Sequence, residues 1–253
     1  MMTTIAVSNQ KGGVAKTTTT LSLGACLAEL GKSVLLIDLD PQAHLTLSMG
    51  LQPEKLRHTI SDALLANASL VSASRESPVF ELDIVPANQE LALTEKLLYS
   101  RKGYEFQLKN RLAAMEGNFY NLVLIDCPPS FGALTLNALT AADLLIIPVQ
   151  CEYYAAHALR QIIRLARMVQ EKTNPRLIYQ VLVTMYDRRN RISQLMLERM
   201  QLEMRPALFE TIIEIDTKLR ESPAFGKPIT LYAPNTRGAQ QYRALAQEVI
   251  NHG

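Results

Sequence analysis

The chain has 253 residues, of which 48% are apolar, 20% charged and 6% aromatic, and a net charge of +2. With 11 Gly, 12 Pro and three Cys it has the composition of a folded globular protein, which excludes a disordered chain, a collagen and a disulfide scaffold. A chain of this length buries roughly 70–75% of its unfolded surface, so no staple is needed for stability, and its longest apolar runs fall far below the ~18 residues of a membrane helix.

The charge is unevenly spread. Residues 1–150 carry 11 Lys/Arg against 14 Asp/Glu, whereas residues 151–253 carry 15 against 10. The second part is therefore a candidate surface for a polyanion. The N-terminus lacks the basic-then-apolar layout of a signal peptide, and a cytoplasmic location is expected. Cys26, Cys127 and Cys151 sit in apolar runs without CxxC spacing and read as buried thiols.

In chain order, residues 4–9 alternate as a strand, 16–30 repeat apolar positions (Leu21, Ala25, Ala28) at helical spacing up to a cap at Gly31, and 33–39 form a continuous apolar strand. Further strands are predicted at 82–86, 122–126, 144–149 and 178–184, with helices at 91–98, 105–115, 134–142, 155–172, 192–204 and 237–252. The stretch 52–77 is weakly patterned, with one short helix near 61–66. Continuous rather than alternating apolar strands indicate a parallel sheet covered on both faces. The fold class is α/β, one doubly wound domain with a mostly parallel sheet.

Between the first strand and first helix stands Lys11-Gly12-Gly13-Val14-Ala15-Lys16-Thr17-Thr18. A glycine-bearing turn ending in Lys-Thr at a helix N-terminus aims backbone N–H groups and the positive helix end at phosphate oxygens. Lys16 would reach the β- and γ-phosphates, Thr17 would offer a hydroxyl to Mg2+, and Thr18 would bond the α-phosphate. The GxxxxGK[ST] pattern fails at Gln10 and Ala15, which leaves KGGxxKT with a second lysine, Lys11.

The sequence resembles the ParA/Soj partition ATPases, the deviant Walker A branch of P-loop enzymes. The resemblance spans the chain: KGGVAKTTT at 11–19, DLDPQ at 38–42, DCPPS at 126–130, PVQCEYYA at 148–155 and GKPITLYAPNTRGAQQY at 226–242. It implies an ATP- and Mg2+-dependent homodimer in which Lys11 crosses to the partner's nucleotide. It further implies slow ATP hydrolysis stimulated by a ParB-like centromere-binding or adaptor protein, and a nucleoid-associated, non-membrane location.

Residue by residue, the resemblance gives Asp126 a water on Mg2+ and residues 127–130 the switch loop. Asp38 and Asp40, either side of Leu39, are expected to point to different sides, with Asp40 orienting the attacking water and Asp38 supporting the site. Ala15 replaces a usual Gly, which requires a negative φ there. The adenine contacts correspond to Thr184, Met185 and Asp216, although the segment Glu214-Ile215-Asp216 lacks the usual proline. Non-specific DNA binding is implied for Arg189 and Lys218. A stripe of Arg160, Arg164 and Arg167 at i, i+4 and i+7 also suits DNA phosphate, as do Arg188, Arg191 and Arg220.

Four rivals share the loop. A nitrogenase-type reductase would need cluster-bridging cysteines, which Cys127 and Cys151 do not provide. A MinD-like membrane cycler would end in a basic amphipathic helix, whereas 240–253 contains one Lys/Arg, Arg243. An idle scaffold is disfavoured by the presence of Lys11, Lys16, Thr17, Asp40 and Asp126. An orphan relative that positions a protein cargo on the nucleoid would keep the whole biochemistry.

Overall fold

The strand–loop–helix–strand opening is present in a computed structural model that describes residues 2–66, 68–115, 120–152 and 155–252. Strand β1 (Thr3–Val7) leads into helix α1 (Lys16–Glu29) and β2 (Val34–Asp38), followed by α2 (His44–Ser48), α3 (Ile60–Leu65), α4 (Leu70–Ala73), β3 (Arg75–Glu76), β4 (Leu82–Val85) and α5 (Leu91–Leu98). Then come α6 (Gln107–Ala113), β5 (Leu122–Asp126), α7 (Ala133–Ala141), β6 (Leu144–Gln150), α8 (Ala155–Lys172), β7 (Ile178–Thr184), α9 (Arg191–Met204), α10 (Thr217–Glu221), α11 (Ile229–Tyr232) and α12 (Arg237–His252). Tyr153 and Tyr154 of the PVQCEYYA segment lie outside the described residues.

The strands form one sheet in the order β3-β4-β2-β5-β1-β6-β7, parallel throughout except for the β3–β4 pair. Alternate residues of each central strand feed opposite faces. Ile5, Val7, Val34 and Leu36 pack with α1 and α12, while Ala6, Leu35 and Ile37 pack with α3, α5, α7 and α8. Both faces are covered, which is why the strands read as unbroken apolar runs. Helix α1 is buried along nearly its whole length because α12 lies against it, and Thr19 Oγ1 meets the buried Tyr242 hydroxyl at 3.0 Å.

The sequence pattern missed the short pieces. The two-residue β3 is held only by its pairing with β4, and α2, α10 and α11 are too short to show a period. The predicted helix at 105–115 instead begins with a 3-10 turn at Tyr104–Phe106 after Gly103.

One backbone contact joins two walls of the region above the sheet. Gly50, just beyond α2, and Gly226, after the turn Ser222–Phe225, both have positive φ (77° and 62°). A Cβ on Gly226 would lie 2.8 Å from Gly50 Cα. Left-handed strain and backbone overlap therefore add, and Gly226→Ala is expected to cost about 2–4 kcal/mol in urea denaturation. An unchanged midpoint would show that this approach is not tight.

Candidate functional site

The loop after β1 is fixed from below. Asn9 is buried, its Nδ2 donates to Pro148 O at 2.7 Å and its Oδ1 accepts from Lys11 N at 3.0 Å. Gly13 (φ 73°) turns the chain, and α1 starts at Lys16 with no side-chain cap, leaving its first N–H groups for another acceptor. Ideal Cβ atoms on Gly12 and Gly13 would meet nothing within 4 Å, so open space lies over the turn. Ala15 departs from expectation. Its φ is 66°, in the left-handed region, so the loop keeps the glycine geometry and the Cβ bears the strain.

A cavity of about 690 Å3 opens above this turn. Gly12, Gly13, Ala15, Lys16, Thr17, Thr18 and Asp40 line one end, and Met185, Ile213, Glu214, Asp216, Leu219 and Tyr242 the other. Lys16 is 8% exposed, and its Nζ donates to Lys11 O at 3.2 Å. Burial lowers its pKa, and the opposite pull of Asp126, Cys127 and Asp40 offsets part of that shift. Thr17 Oγ1 donates to Asp126 Oδ2 at 2.7 Å.

The buried carboxylates meet because of strand register. Asp38 and Asp126 are paired positions at the ends of β2 and β5. Both are fully buried, and burial pushes Asp38 up to about 6 and Asp126 well above the usual carboxylate range, with Asp38 adding to the shift at Asp126. Three of the bonds Asp38 accepts come from Asp40 N (3.0 Å), Thr46 N (2.9 Å) and Thr46 Oγ1 (2.7 Å).

Asp38 and Asp40 do play different parts, but not through alternation, since residues two apart on a strand share a face. The strand ends at Asp38. Asp40 lies beyond it, at the cavity wall, where its Oδ1 accepts from Gln42 N at 2.9 Å. Among the described residues no three His, Cys, Asp or Glu side chains converge as an all-protein metal cage. One hydroxyl with nearby carboxylates fits a hard cation that takes its remaining ligands from phosphate and water.

Other expected residues are placed differently. Lys11 is not on the cavity wall: its ammonium pairs with Glu152 and bonds Gln150 Oε1 at 3.2 Å. Gln150 Nε2 in turn donates to Gly13 O at 3.0 Å. Val14 is buried, and its carbonyl accepts from Thr184 Oγ1 at 3.0 Å. Thr184 is therefore a prop for the loop and does not reach the cavity, whereas Met185 does. Asp216 lines the cavity, but its two oxygens accept backbone N–H groups of Lys218 (2.9 Å) and Gly238 (2.8 Å), so it caps α10 and ties down the start of α12. The sequence motifs contained Gln150 and Glu152, but their partners lie over a hundred residues away.

The basic candidates are on the surface. Arg160, Arg164 and Arg167 are exposed on α8 while Leu159, Ile162 and Ala166 are buried. Arg189 pairs with Asp187 at 3.2 Å, and Lys218 with Glu221 at 2.7 Å. Arg191 is exposed at the start of α9, Arg220 borders the cavity, and Arg188 is tied to Glu214.

Comparison with known proteins agrees with this geometry. A family model described as an AAA domain matches residues 2–179. The chain is 43% identical over 250 residues to the sporulation initiation inhibitor protein Soj of Bacillus subtilis, covering 98% of each chain. It is 40% identical over 249 residues to the chromosome partitioning protein ParA of Caulobacter vibrioides, covering 98% of this chain and 93% of that one. The crystal structure of cobyrinic acid a,c-diamide synthase from Mycobacterium smegmatis with bound ATP analogue and magnesium is similar at 38% identity and a TM-score of 0.85, over 100% of this chain and 96% of that one. At 40–43% identity to Soj and ParA over nearly the full length of the chain, the chain belongs to the ParA/Soj family of partition ATPases.

Proposed function

We propose that the protein binds ATP with Mg2+, forms a homodimer around two nucleotides, binds DNA non-specifically in that state, and leaves DNA after hydrolysis stimulated by a ParB-like partner. The observation that carries the nucleotide part is the buried Asp126 bonded to Thr17 directly beneath an uncapped helix N-terminus, with Lys16 beside it. Burial keeps both acids from ionising in the empty protein, and a divalent cation beside them would favour their charged form, while the open turn would seat the phosphates. Magnesium, when bound, would neutralise charge on the β- and γ-phosphates.

In this reading Thr17 would offer the cation its hydroxyl, Asp126 would hold it through a water, and Lys16 would bond the terminal phosphates. Asp40 orients a water that attacks the γ-phosphorus. The bond to the bridging oxygen breaks, ADP departs with that oxygen, and phosphate takes up the water oxygen with one of its hydrogens while the other leaves to solvent as a proton. Positioning and charge neutralisation do most of this work, so slow turnover is natural.

Lys11 supplies the link to assembly. Its ammonium is held by Glu152 and Gln150 of its own chain, and a partner's triphosphate would be a stronger anion to compete for it. Two subunits then double the Arg/Lys contacts with DNA, which gives sequence-independent, salt-sensitive binding and a nucleoid location. Amide synthesis, suggested by the Mycobacterium smegmatis name, gains no support from the thiols: Cys26, Cys127 and Cys151 are all buried with raised pKa values.

DNA retention should require ATP in the wild type and be lost in Lys11→Ala, while Asp40→Ala should bind ATP and stay on DNA without turning over. Retention independent of nucleotide, or unaffected by loss of Lys11, would contradict the scheme.

A second expectation comes from the raised acids. Their folded-state pKa values lie above the unfolded ones, so the stability linked to protonating them is full below the ordinary carboxylate range and lost as pH rises, past about 6 for Asp38 and through the raised range of Asp126. Asp126→Asn should therefore abolish hydrolysis yet leave the magnesium-free protein at pH 8 at least as resistant to urea as wild type. A clearly lower midpoint would show that the Asp126 charge is not a burden on the fold.

A further inference from the structure

The far end of the cavity contains a buried acid that the phosphate chemistry does not use. Glu214 is 5% exposed and lines the cavity between Ile213 and Ile215. Its carboxylate holds two arginines from distant parts of the chain. Arg188, in the loop after β7, pairs with Oε1, and Arg237, the first residue of α12, places Nη1 2.9 Å from Oε2. Gln241 closes the cluster: its Nε2 donates to Glu214 Oε1 at 3.2 Å, and its Oε1 accepts from Glu214 N at 2.9 Å. Arg237 Nη2 also donates to Ile215 O at 3.0 Å.

The same segment is stitched to the end of β7 through its backbone. Tyr186 N donates to Ile213 O and Ile215 N donates to Tyr186 O, each at 3.1 Å. Met185, immediately before Tyr186, lines the cavity in a left-handed conformation (φ 51°). One carboxylate thus joins the β7 exit, the 213–216 segment and the start of α12. Only the carboxylate of this cluster is buried, since both arginine side chains are more than half exposed, so what the cluster secures is the position of Glu214 and of the segments its partners come from.

We infer that Glu214 is the positioning residue for the base end of the nucleotide site. It acts through its two arginines, which hold the 213–216 segment against Met185 and α12 and so fix the wall on which the base rests. The triphosphate end is held by the phosphate loop on the opposite side of the cavity and does not depend on this cluster. The inference rests on the ATP reading above and adds a residue to which no role in that reading is given.

The test compares binding of Mg-ATP with binding of Mg-tripolyphosphate, which keeps the anionic part and lacks the base and ribose. Glu214→Gln is expected to weaken ATP about tenfold, within the range of ordinary site coupling, while leaving tripolyphosphate affinity unchanged. Its KM for ATP should rise with kcat at saturation nearly unchanged. Arg188→Ala removes one exposed arm of the cluster, so the protein should fold normally and show the same selective loss to a smaller degree. Should Glu214→Gln not fold, this variant decides the matter.

Unchanged ATP affinity in these variants, or a parallel loss of ATP and tripolyphosphate, overturns the positioning role. A wild type that binds tripolyphosphate as tightly as ATP overturns the ATP reading itself, which is a separate result.

Discussion

The pairing of Asp38 with Asp126 across neighbouring parallel strands is the constraint from which the rest of the site follows. Register alone sets two carboxylates side by side at the carboxyl edge of the sheet, fully buried, with Lys16 as the nearby cation. In a low-dielectric setting that arrangement is unfavourable for the empty protein, which is why both acids resist ionisation. It becomes favourable once a divalent cation and its phosphates enter. The loop sequence matters because it delivers Lys16 and Thr17 to these acids, and the sheet matters because it brings the acids together.

The phosphate loop is also tied to the two strands on its far side. Asn9 reaches Pro148, Gln150 reaches Gly13, Thr184 reaches Val14, and Lys11 pairs with Glu152. Each bond is worth about 1 kcal/mol net, but together they attach the loop to the ends of β6 and β7 and to the residues just before α8. Those are the segments that lead to Arg160, Arg164 and Arg167 and to Arg188, Arg189 and Arg191. A change at the loop therefore has direct mechanical neighbours in the basic half of the chain.

The basic half is less bare than its composition suggests. Arg189 and Lys218 already have acidic neighbours, Asp187 and Glu221, on the exposed surface. Solvent screens such pairs, so a dense array of phosphates can displace them readily. Arg188 differs, because its partner Glu214 is buried and belongs to the cavity wall. Surface charge counted along the sequence cannot separate these two situations.

The sequence by itself determined the layered α/β fold, six of the seven strands and the glycine-bearing turn that opens α1, because apolar runs and the KGGxxKT turn are local signals with a direct physical meaning, whereas the roles expected of Asp40 and Asp126 came from the resemblance to a family. Only the tertiary structure decided what depends on distant partners. Lys11 turned out to be held by Glu152, Thr184 to support Val14 and Asp216 to cap a helix, while Glu214 gathers two arginines. It also set the positive φ of Ala15, since the backbone of that turn is fixed by its anchors at both ends and not by the residue that occupies it.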